Sequence, residues 1–381
     1  MRSRPQRALL AMAVASAFVF TTGFGFGKKD APPPVFDPAA GAESQASVFV
    51  ALNKPAEKGK MKDVGKVALT ACSVMFAFKS NATASTSGGL FSEAGGVTRA
   101  EASVRVEYNL NGMDDAAMQQ LTNEICAEAE TRLASAGFDV MPVAELANNE
   151  HFKAMHANGK PSSHEYKMPG STKYLVYAPQ GQQLVDPRYA TLGGAFAAAK
   201  GQTPEQHEGR LVHELGQKVT PVRLNLLVDF AEVQGDGHKA LGGLASKDSA
   251  EVKADVRLSV SGELVLRPAG AYDCWKSLKG GRDCAINIHK DGPAFSTAVP
   301  VVSGDKFYRE VVDQTTTGQK MASGVTKGLA LAAAMSGVKG GRSSDITVYG
   351  VNVDPVQYGT EVKKYAFGFI DMAYARAKSA K

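Results

Sequence analysis

The stretch VALTACSVMFAF, residues 67–78, decides the fold because it is an almost uninterrupted apolar run. A run of this kind predicts a buried β-strand. Residues 82–96 are rich in Ser, Thr, Ala and Gly and predict a loop. Residues 101–108 then alternate between apolar and polar side chains, which predicts a second, half-buried strand.

The clearest helix is predicted directly after these strands. Asp114 or Asp115 caps its start, and Gly137 ends it because glycine adopts a left-handed conformation at little cost. Between them an apolar stripe repeats at spacings of three and four: Met118, Leu121, Ile125, Ala129 and Leu133.

Further elements alternate along the rest of the chain. Strands are predicted over 138–143, 173–177, 222–233, 252–266, 285–288 and 346–353. Helices are predicted over 144–156, over 204–217 behind the capping box that starts at Thr203, and from Thr360 to near the C-terminus. The mixture predicts an α+β (or α/β) fold, a mixed sheet with helices packed on it.

The N-terminus resembles an export signal followed by a tether. Residues 1–27 combine three arginines, a short apolar stretch and a small-residue exit, which predicts a signal peptide cleaved after Gly23 or Gly27; an uncleaved membrane anchor is the alternative. Residues 28–62 are rich in Pro, Ala and Lys and predict a tether. Residues 63–381 are expected to form a single folded body. The alternative is a division of this body into two parts near 235–250. The sequence therefore predicts a periplasmic or secreted protein.

The net charge of the 381-residue chain is +5. The signal peptide contributes three positive charges, and residues 28–62 hold six lysines against four acids, so the body from 63 onward has no net charge. A neutral body lacks the basic surface that nucleic-acid binding requires, and we expect no nucleic-acid partner.

No catalytic, cofactor or metal motif is recognisable, and we expect a non-enzymatic protein without a cofactor. His207 and His213, with the acids Glu208 and Glu214 beside them, lie six residues apart instead of the four that place two histidines on one helix face. His151 and His156 are expected to be solvated helix residues.

The four cysteines give a firmer prediction. Cys274 and Cys284 flank a glycine-containing loop between two strand-like runs, and an exported protein meets oxidising conditions, so we expect a disulfide between them. Cys72 and Cys126 are either a second bridge or separate buried side chains.

Residues 318–341 form a Gly/Ala-rich segment that we interpret as an association segment. Small residues at every fourth position let helices approach closely, and the segment also suits contact with a membrane. The alternative is a surface helix or a flexible loop. The residues proposed for association are Gly324, Gly328, Leu329, Ala332 and Met335.

Residues 66–233 resemble the CsgG / TolB-N-terminal type of periplasmic domain, which includes the LpoB-like lipoproteins. The resemblance lies in the opening strand at 66–69, the helix ending LASAG at 133–137, the following FDVMP at 138–142, VAEL at 143–146 with Phe152, and YLV at 174–176. The chain also resembles uncharacterised secreted proteins of Gram-negative bacteria that share this domain type. The chain departs from the family in having no lipobox after its apolar stretch. The resemblance implies an envelope assembly or scaffold role and carries over no catalytic residue.

These observations predict a non-enzymatic periplasmic or cell-envelope protein that binds envelope proteins or further copies of itself. The alternative is a periplasmic protein that binds a small ligand or lipid in a cavity lined by Phe, Met and Leu residues. An enzyme of an unrecognised type ranks third.

Overall fold

The computed structural model describes residues 34–53, 61–85, 101–167, 172–186, 202–238, 249–277, 281–287, 292–317, 319 and 342–381. Within these residues it has an α+β fold, a mixed sheet with helices packed on both faces, as the sequence predicts. None of the described helices is both long and apolar enough to cross a lipid bilayer.

Six helices lie in the described part of the chain. They are α1 (Ala42–Phe49), α2 (Asp115–Ser135), α3 (Val143–Leu146), α4 (Glu150–Ala157), α5 (Pro204–Glu214) and α6 (Pro355–Ser379).

Eleven strands form the main sheet, eight of them in the spatial order β1-β12-β9-β6-β2-β3-β15-β14. These eight are β1 (Val50–Asn53), β12 (Ala294–Thr297), β9 (Ser259–Leu266), β6 (Val219–Asp229), β2 (Lys66–Ser85), β3 (Glu101–Asn111), β15 (Arg342–Asn352) and β14 (Glu310–Asp313). Strand β13 (Val301–Val302) pairs with β9, β5 (Lys173–Tyr177) pairs with β2, and β4 (His164–Lys167) pairs with β5. The β2–β6 and β3–β15 pairs are parallel and the others antiparallel, which makes the sheet mixed.

Two hairpins lie outside the main sheet. Strands β7 (Glu232–His238) and β8 (Ser249–Asp255) form one, and β10 (Tyr272–Lys276) and β11 (Arg282–Ile286) form the other. The subdivision expected near 235–250 falls largely outside the described residues.

Strand β2 lies at the centre of the molecule and is buried on both faces. Val67 and Leu69 point into the main core, which α1, α2 and α6 cover. Ala68 and Ala71 point into a smaller core beneath α4 and α5. The strand period of two separates Val67 and Leu69 from Ala68, and a register shift against β6 between Leu69 and Ala71 brings Ala71 to the same side as Ala68.

Helix α2 begins and ends where the sequence predicts. The side chain of Asp114 accepts a hydrogen bond from the backbone N–H of Ala117, at 2.8 Å. Gly137 follows the helix with φ of +82°. The ammonium of Lys378, in the last turn of α6, donates to the carbonyls of Ala136 and Gly137 at 3.0 and 2.8 Å. Helix α6 thus satisfies carbonyl groups at the end of α2.

Two helix predictions need correction. Helix α6 starts at Pro355, and its N-cap is Asp354, whose carboxylate accepts from the backbone N–H groups of Val356 and Gln357. Thr360 lies inside the helix and donates to the carbonyl of Val356. The helix predicted over 144–156 is two helices, α3 and α4, separated by the N-cap Asn149.

The tether predicted over 28–62 is wrong for the residues that the structure describes there. Residues 42–53 form α1 and β1, and β1 pairs with β12 at one edge of the main sheet. Phe49, Val50 and Met61 are fully or almost fully buried. Phe36 packs on Phe49 and on Tyr365 of α6, with ring centroids 5.9 and 6.0 Å apart. This segment therefore belongs to the core.

Candidate functional site

Helix α5 positions the polar side chains that the sequence singled out. The backbone N–H of Gln206 donates to the Thr203 hydroxyl at 3.3 Å, and the Thr203 N–H donates to the Gln206 side chain at 2.9 Å. Pro204 occupies the first helical position. This confirms the predicted capping box, which fixes where α5 starts.

Glu208 of α5 is the centre of a buried ion-pair network. It is 0% exposed. Its carboxylate accepts hydrogen bonds from Arg223 at 2.8 and 3.0 Å, from Arg267 at 3.3 Å, from the Tyr272 hydroxyl at 2.7 Å and from the Thr70 hydroxyl at 3.0 Å. One carboxylate therefore joins α5 to β2, β6, the end of β9 and the hairpin β10–β11.

The charges of this network stabilise one another. Burial alone would raise the pKa of Glu208, but the guanidinium groups of Arg223 and Arg267 outweigh it and lower the pKa to about 2. Burial would lower the pKa of Arg223, and Glu208 outweighs it and raises that pKa. Glu205 lies 3.5 Å from Arg223 and supplies a second negative charge. The network therefore holds two cations and two anions.

His156 lies next to this network, and its predicted solvation is wrong. Its side chain is buried, with Nε2 3.2 Å from the Thr70 carbonyl and Nδ1 3.3 Å from the backbone N–H of Gln183. Burial lowers the pKa of His156. A neutral ring that donates from Nε2 and accepts at Nδ1 satisfies both contacts.

The other three histidines that the sequence analysis considers, His151, His207 and His213, do not assemble a metal site. His151 and His207 face each other with ring centroids 6.1 Å apart, and His151 lies 3.9 Å from Glu214. Burial lowers the pKa of His207 to about 4, with further contributions from Arg210 and His151. His213 points elsewhere and contacts Gln217. Within the described ranges no group of three or more His, Cys, Asp or Glu side chains is arranged to hold a metal ion.

The cysteines form two disulfides. Cys274 is bonded to Cys284 as predicted, and Cys72 is bonded to Cys126, the first of the two alternatives left open by the sequence. The second bridge links the central strand β2 to helix α2. Two disulfides indicate an oxidising compartment reached by export.

The hairpin β10–β11 packs closely on α5. A β-carbon at Gly209 would lie 2.8 Å from Cβ of Cys284 and 2.9 Å from the Tyr272 ring. Glycine is therefore required for this close approach. Arg210 adds two polar contacts on the same side, to the carbonyl of Arg282 at 2.9 Å and to Asp283 at 3.0 Å.

A cleft of about 300 Å³ opens between the C-terminal half of α5 and strand β10. Its lining combines small apolar groups and the Tyr272 ring with polar and charged residues. The lining residues are Gly209, Val212, His213, Gln217, Ala269, Tyr272, Asp273, Cys274 and Arg282. The volume is at the lower end of the range for ligand pockets.

Trp275, the single tryptophan of the chain, lies on the same hairpin and is 50% exposed. Indole groups that remain exposed on a rigid support are enriched at binding surfaces. The disulfide beside it and the contacts with α5 make this hairpin such a support.

A second acid, Asp229, lies half-buried at the end of β6. Asp229 accepts a hydrogen bond from Tyr174, and burial raises the pKa of Asp229 to about 6. The buried hydroxyl of Tyr358 is nearby and has no hydrogen-bond partner among the described residues.

Sequence reasoning found the helix that carries the site and one disulfide, but not the network. In the sequence Glu208 stands out only as a neighbour of His207, and no motif includes Arg223, Arg267, Tyr272 or Trp275. One feature of the sequence indicates the network weakly. Arg223 interrupts an apolar strand, and a charge buried there needs a partner of opposite charge. The proposed association residues Gly324, Gly328, Leu329, Ala332 and Met335 lie outside the described residues.

Comparisons with known proteins do not assign this arrangement to a family. No family model, curated protein or solved structure matches the chain.

Proposed function

We propose that this chain is a non-enzymatic protein of the periplasm or cell envelope, which acts in envelope assembly or as a scaffold. It binds other envelope proteins or further copies of itself. The two disulfides support export, and the resemblance to the CsgG / TolB-N-terminal / LpoB type of domain points to the envelope.

The observation that carries this proposal is the saturation of Glu208. Strongly shifted ionisable groups at a catalytic centre face a cleft, where they meet a substrate. Here the carboxylate is fully buried, and its hydrogen bonds come from four side chains of the protein itself. Both ring nitrogens of His156 likewise contact backbone groups. The contacts of Glu208 and His156 thus hold elements of the fold together, which supports a structural role for these two groups.

The test combines crosslinking and light scattering. We expect crosslinking in the periplasm, followed by affinity purification of this chain, to recover defined partner proteins or oligomers of the chain. Light scattering of the purified protein separates these two results. A monomer that recovers no protein partner would contradict the proposal.

Deletion of residues 318–341 tests their role in association. We expect the deleted protein to unfold cooperatively and to show altered association in light scattering. Loss of cooperative unfolding would show instead that this segment belongs to the core.

The cleft beside α5 favours a second candidate, a periplasmic protein that binds a small ligand or lipid. Its lining differs from the Phe, Met and Leu cavity expected from the sequence, because His213, Asp273 and Arg282 give it a polar rim. Native mass spectrometry after gentle purification tests this candidate, since a retained ligand adds a defined mass. An unchanged mass would favour the scaffold role.

A further inference from the structure

Strand β10 pairs with β11 along one edge, and its other edge is the one that a further strand would extend. The bonds from Asn287 N–H to the Ala271 carbonyl and from Ser277 N–H to the Gly281 carbonyl mark the hydrogen-bonded positions of the β10–β11 ladder. Because such positions alternate, the N–H and C=O groups of Cys274 and Lys276 point away from β11. In the part of the chain that the structure describes, no strand pairs with this edge.

The outer face of the hairpin combines an indole ring with two carboxylates. Trp275 lies directly across from Asp283 and two residues from Asp273, on the face opposite the disulfide. Asp273 accepts from Asn287 at 2.7 Å and Asp283 accepts from Arg210 at 3.0 Å, which holds both carboxylates in place. Arg210 offsets one of the two negative charges. An aromatic face beside a net negative charge attracts a cationic side chain.

The inner face of the hairpin, which carries the disulfide, favours apolar side chains over basic ones. The cleft lies along β10, and its floor includes Val212, Ala269 and Tyr272. Lys276 and Arg282 are paired across the strands on this face and place positive charge at its end. An apolar side chain therefore fits the inner face, and a basic one does not.

We propose that this hairpin binds an extended segment of a partner protein in which basic and apolar residues alternate. The segment adds as a third strand to the edge of β10 through main-chain hydrogen bonds. Its basic side chains lie over Trp275 between Asp273 and Asp283, and its apolar side chains enter the cleft. This inference rests on the proposed function and names the chemistry of the partner.

The first test uses a blocked peptide, acetyl-Lys-Val-Lys-Val-Lys-amide, and the fluorescence of Trp275, which reports on this site alone because the chain has one tryptophan. We expect a saturable change in emission. The D273N/D283N variant should weaken binding about tenfold or more, since it removes both carboxylate charges. The D313N variant, on the exposed edge strand β14, should bind as wild type does.

Two peptide controls separate the parts of the proposal. A peptide N-methylated at alternate amides keeps its charges but cannot pair with the edge, and should bind about tenfold or more weakly. The peptide acetyl-Glu-Val-Glu-Val-Glu-amide should not bind. Equal binding of either control would overturn the proposal. So would a response to neutral oligosaccharides without one to the basic peptide, because the indole would then be a sugar-stacking surface.

A second test distinguishes failure of this inference from failure of the proposed function. A photo-crosslinking residue replaces Ala285 on the outer face of the hairpin or, as a control, Val311 on β14. Capture of a protein at position 285 that the Lys-Val peptide competes away supports the inference. Capture at 311 alone would overturn it and leave the proposed function standing. A full chain without partner or self-association in either variant would contradict both.

Discussion

Glu208 shows how much of the stability of this protein depends on a single buried charge. Both arginines that contact it are almost fully buried, with Arg223 3% and Arg267 8% exposed. Ion pairs at this depth contribute little beyond an apolar substitute, but removal of one partner leaves the other charge uncompensated. The network is therefore sensitive to single substitutions.

We predict that E208Q lowers the free energy of unfolding by about 3–5 kcal/mol, because Arg223 and Arg267 lose their main counter-charge. Urea denaturation followed by circular dichroism measures this. The control is E165Q, which breaks an exposed pair with Lys173 and should change stability by less than about 1 kcal/mol. A loss for E208Q as small as that of the control would contradict the account of the network.

The raised pKa of Asp229 makes the free energy of unfolding depend on pH in the opposite direction to that expected from an ion-paired acid. Its pKa rises from an ordinary 3.8 to about 6 on folding, so the folded state binds the proton more tightly. The contribution of Asp229 to the free energy of unfolding therefore falls as the pH rises through this window. Glu208 behaves conversely: its contribution is lost as the pH falls from 4.5 towards 2.

We expect D229N to raise the free energy of unfolding at neutral pH by about 1–2 kcal/mol, because the neutral amide avoids the desolvation cost that the half-buried carboxylate carries when ionised. It should also remove the decline in stability between about pH 4 and pH 6. Urea midpoints measured across this range test both statements. D139N, at a carboxylate 71% exposed, serves as the control. Identical pH profiles for D229N and wild type would contradict the assignment.

At the scale of elements, the two disulfides differ in the length of chain that they close. The bridge between Cys72 and Cys126 spans 54 residues, whereas that between Cys274 and Cys284 spans 10. A longer closed loop restricts the unfolded chain more strongly.

We predict that the double variant C72A/C126A loses about 4 kcal/mol and C274A/C284A about 3 kcal/mol of unfolding free energy. Urea denaturation of both variants beside wild type gives the comparison. A larger loss in the short-loop variant would show that contacts in the folded state, and not loop closure, determine the order.

Helix α1 and strand β1 lie where the sequence predicts a tether, and substitutions there test whether this segment belongs to the core. F49A should cost about 3–5 kcal/mol, because Phe49 is only 2% exposed in the main core. V48A is a matched neighbour, 44% exposed, and should change stability by less than about 0.5 kcal/mol. Thermal or urea unfolding measures both. If F49A were as mild as V48A, residues 42–53 would be a tether after all.

The sequence predicts best the elements whose evidence is local. The apolar stripe of α2, its end at Gly137 and the capping box at Thr203 all act within a few residues and are confirmed. The sequence does not predict the elements at residues 48–52. A five-residue apolar run inside a Pro/Lys-rich stretch is too short to indicate a strand by itself, and its pairing with β12 cannot be seen locally. His156 was misjudged for a similar reason, since Thr70 and Gln183, which contact it, are distant in sequence.

At the scale of the whole molecule, the candidate site was harder to predict than the fold. Glu208 comes from α5, Arg223 from β6 and Arg267 from the position just after β9, and no spacing in the sequence links them. The position of Trp275 beside Asp283 likewise depends on the register of the hairpin. Only the disulfide between Cys274 and Cys284, the cysteine pair closer in sequence, was predicted directly.

The contact between the first and last helices of the described body determines when the molecule can fold. Helix α1 packs on α6, and Lys378 of α6 bonds to the end of α2. The main core therefore cannot close before α6 has been synthesised. Until then the main-core face of β2 and its neighbours lacks part of its cover, and exposed apolar surface of this kind is prone to aggregation.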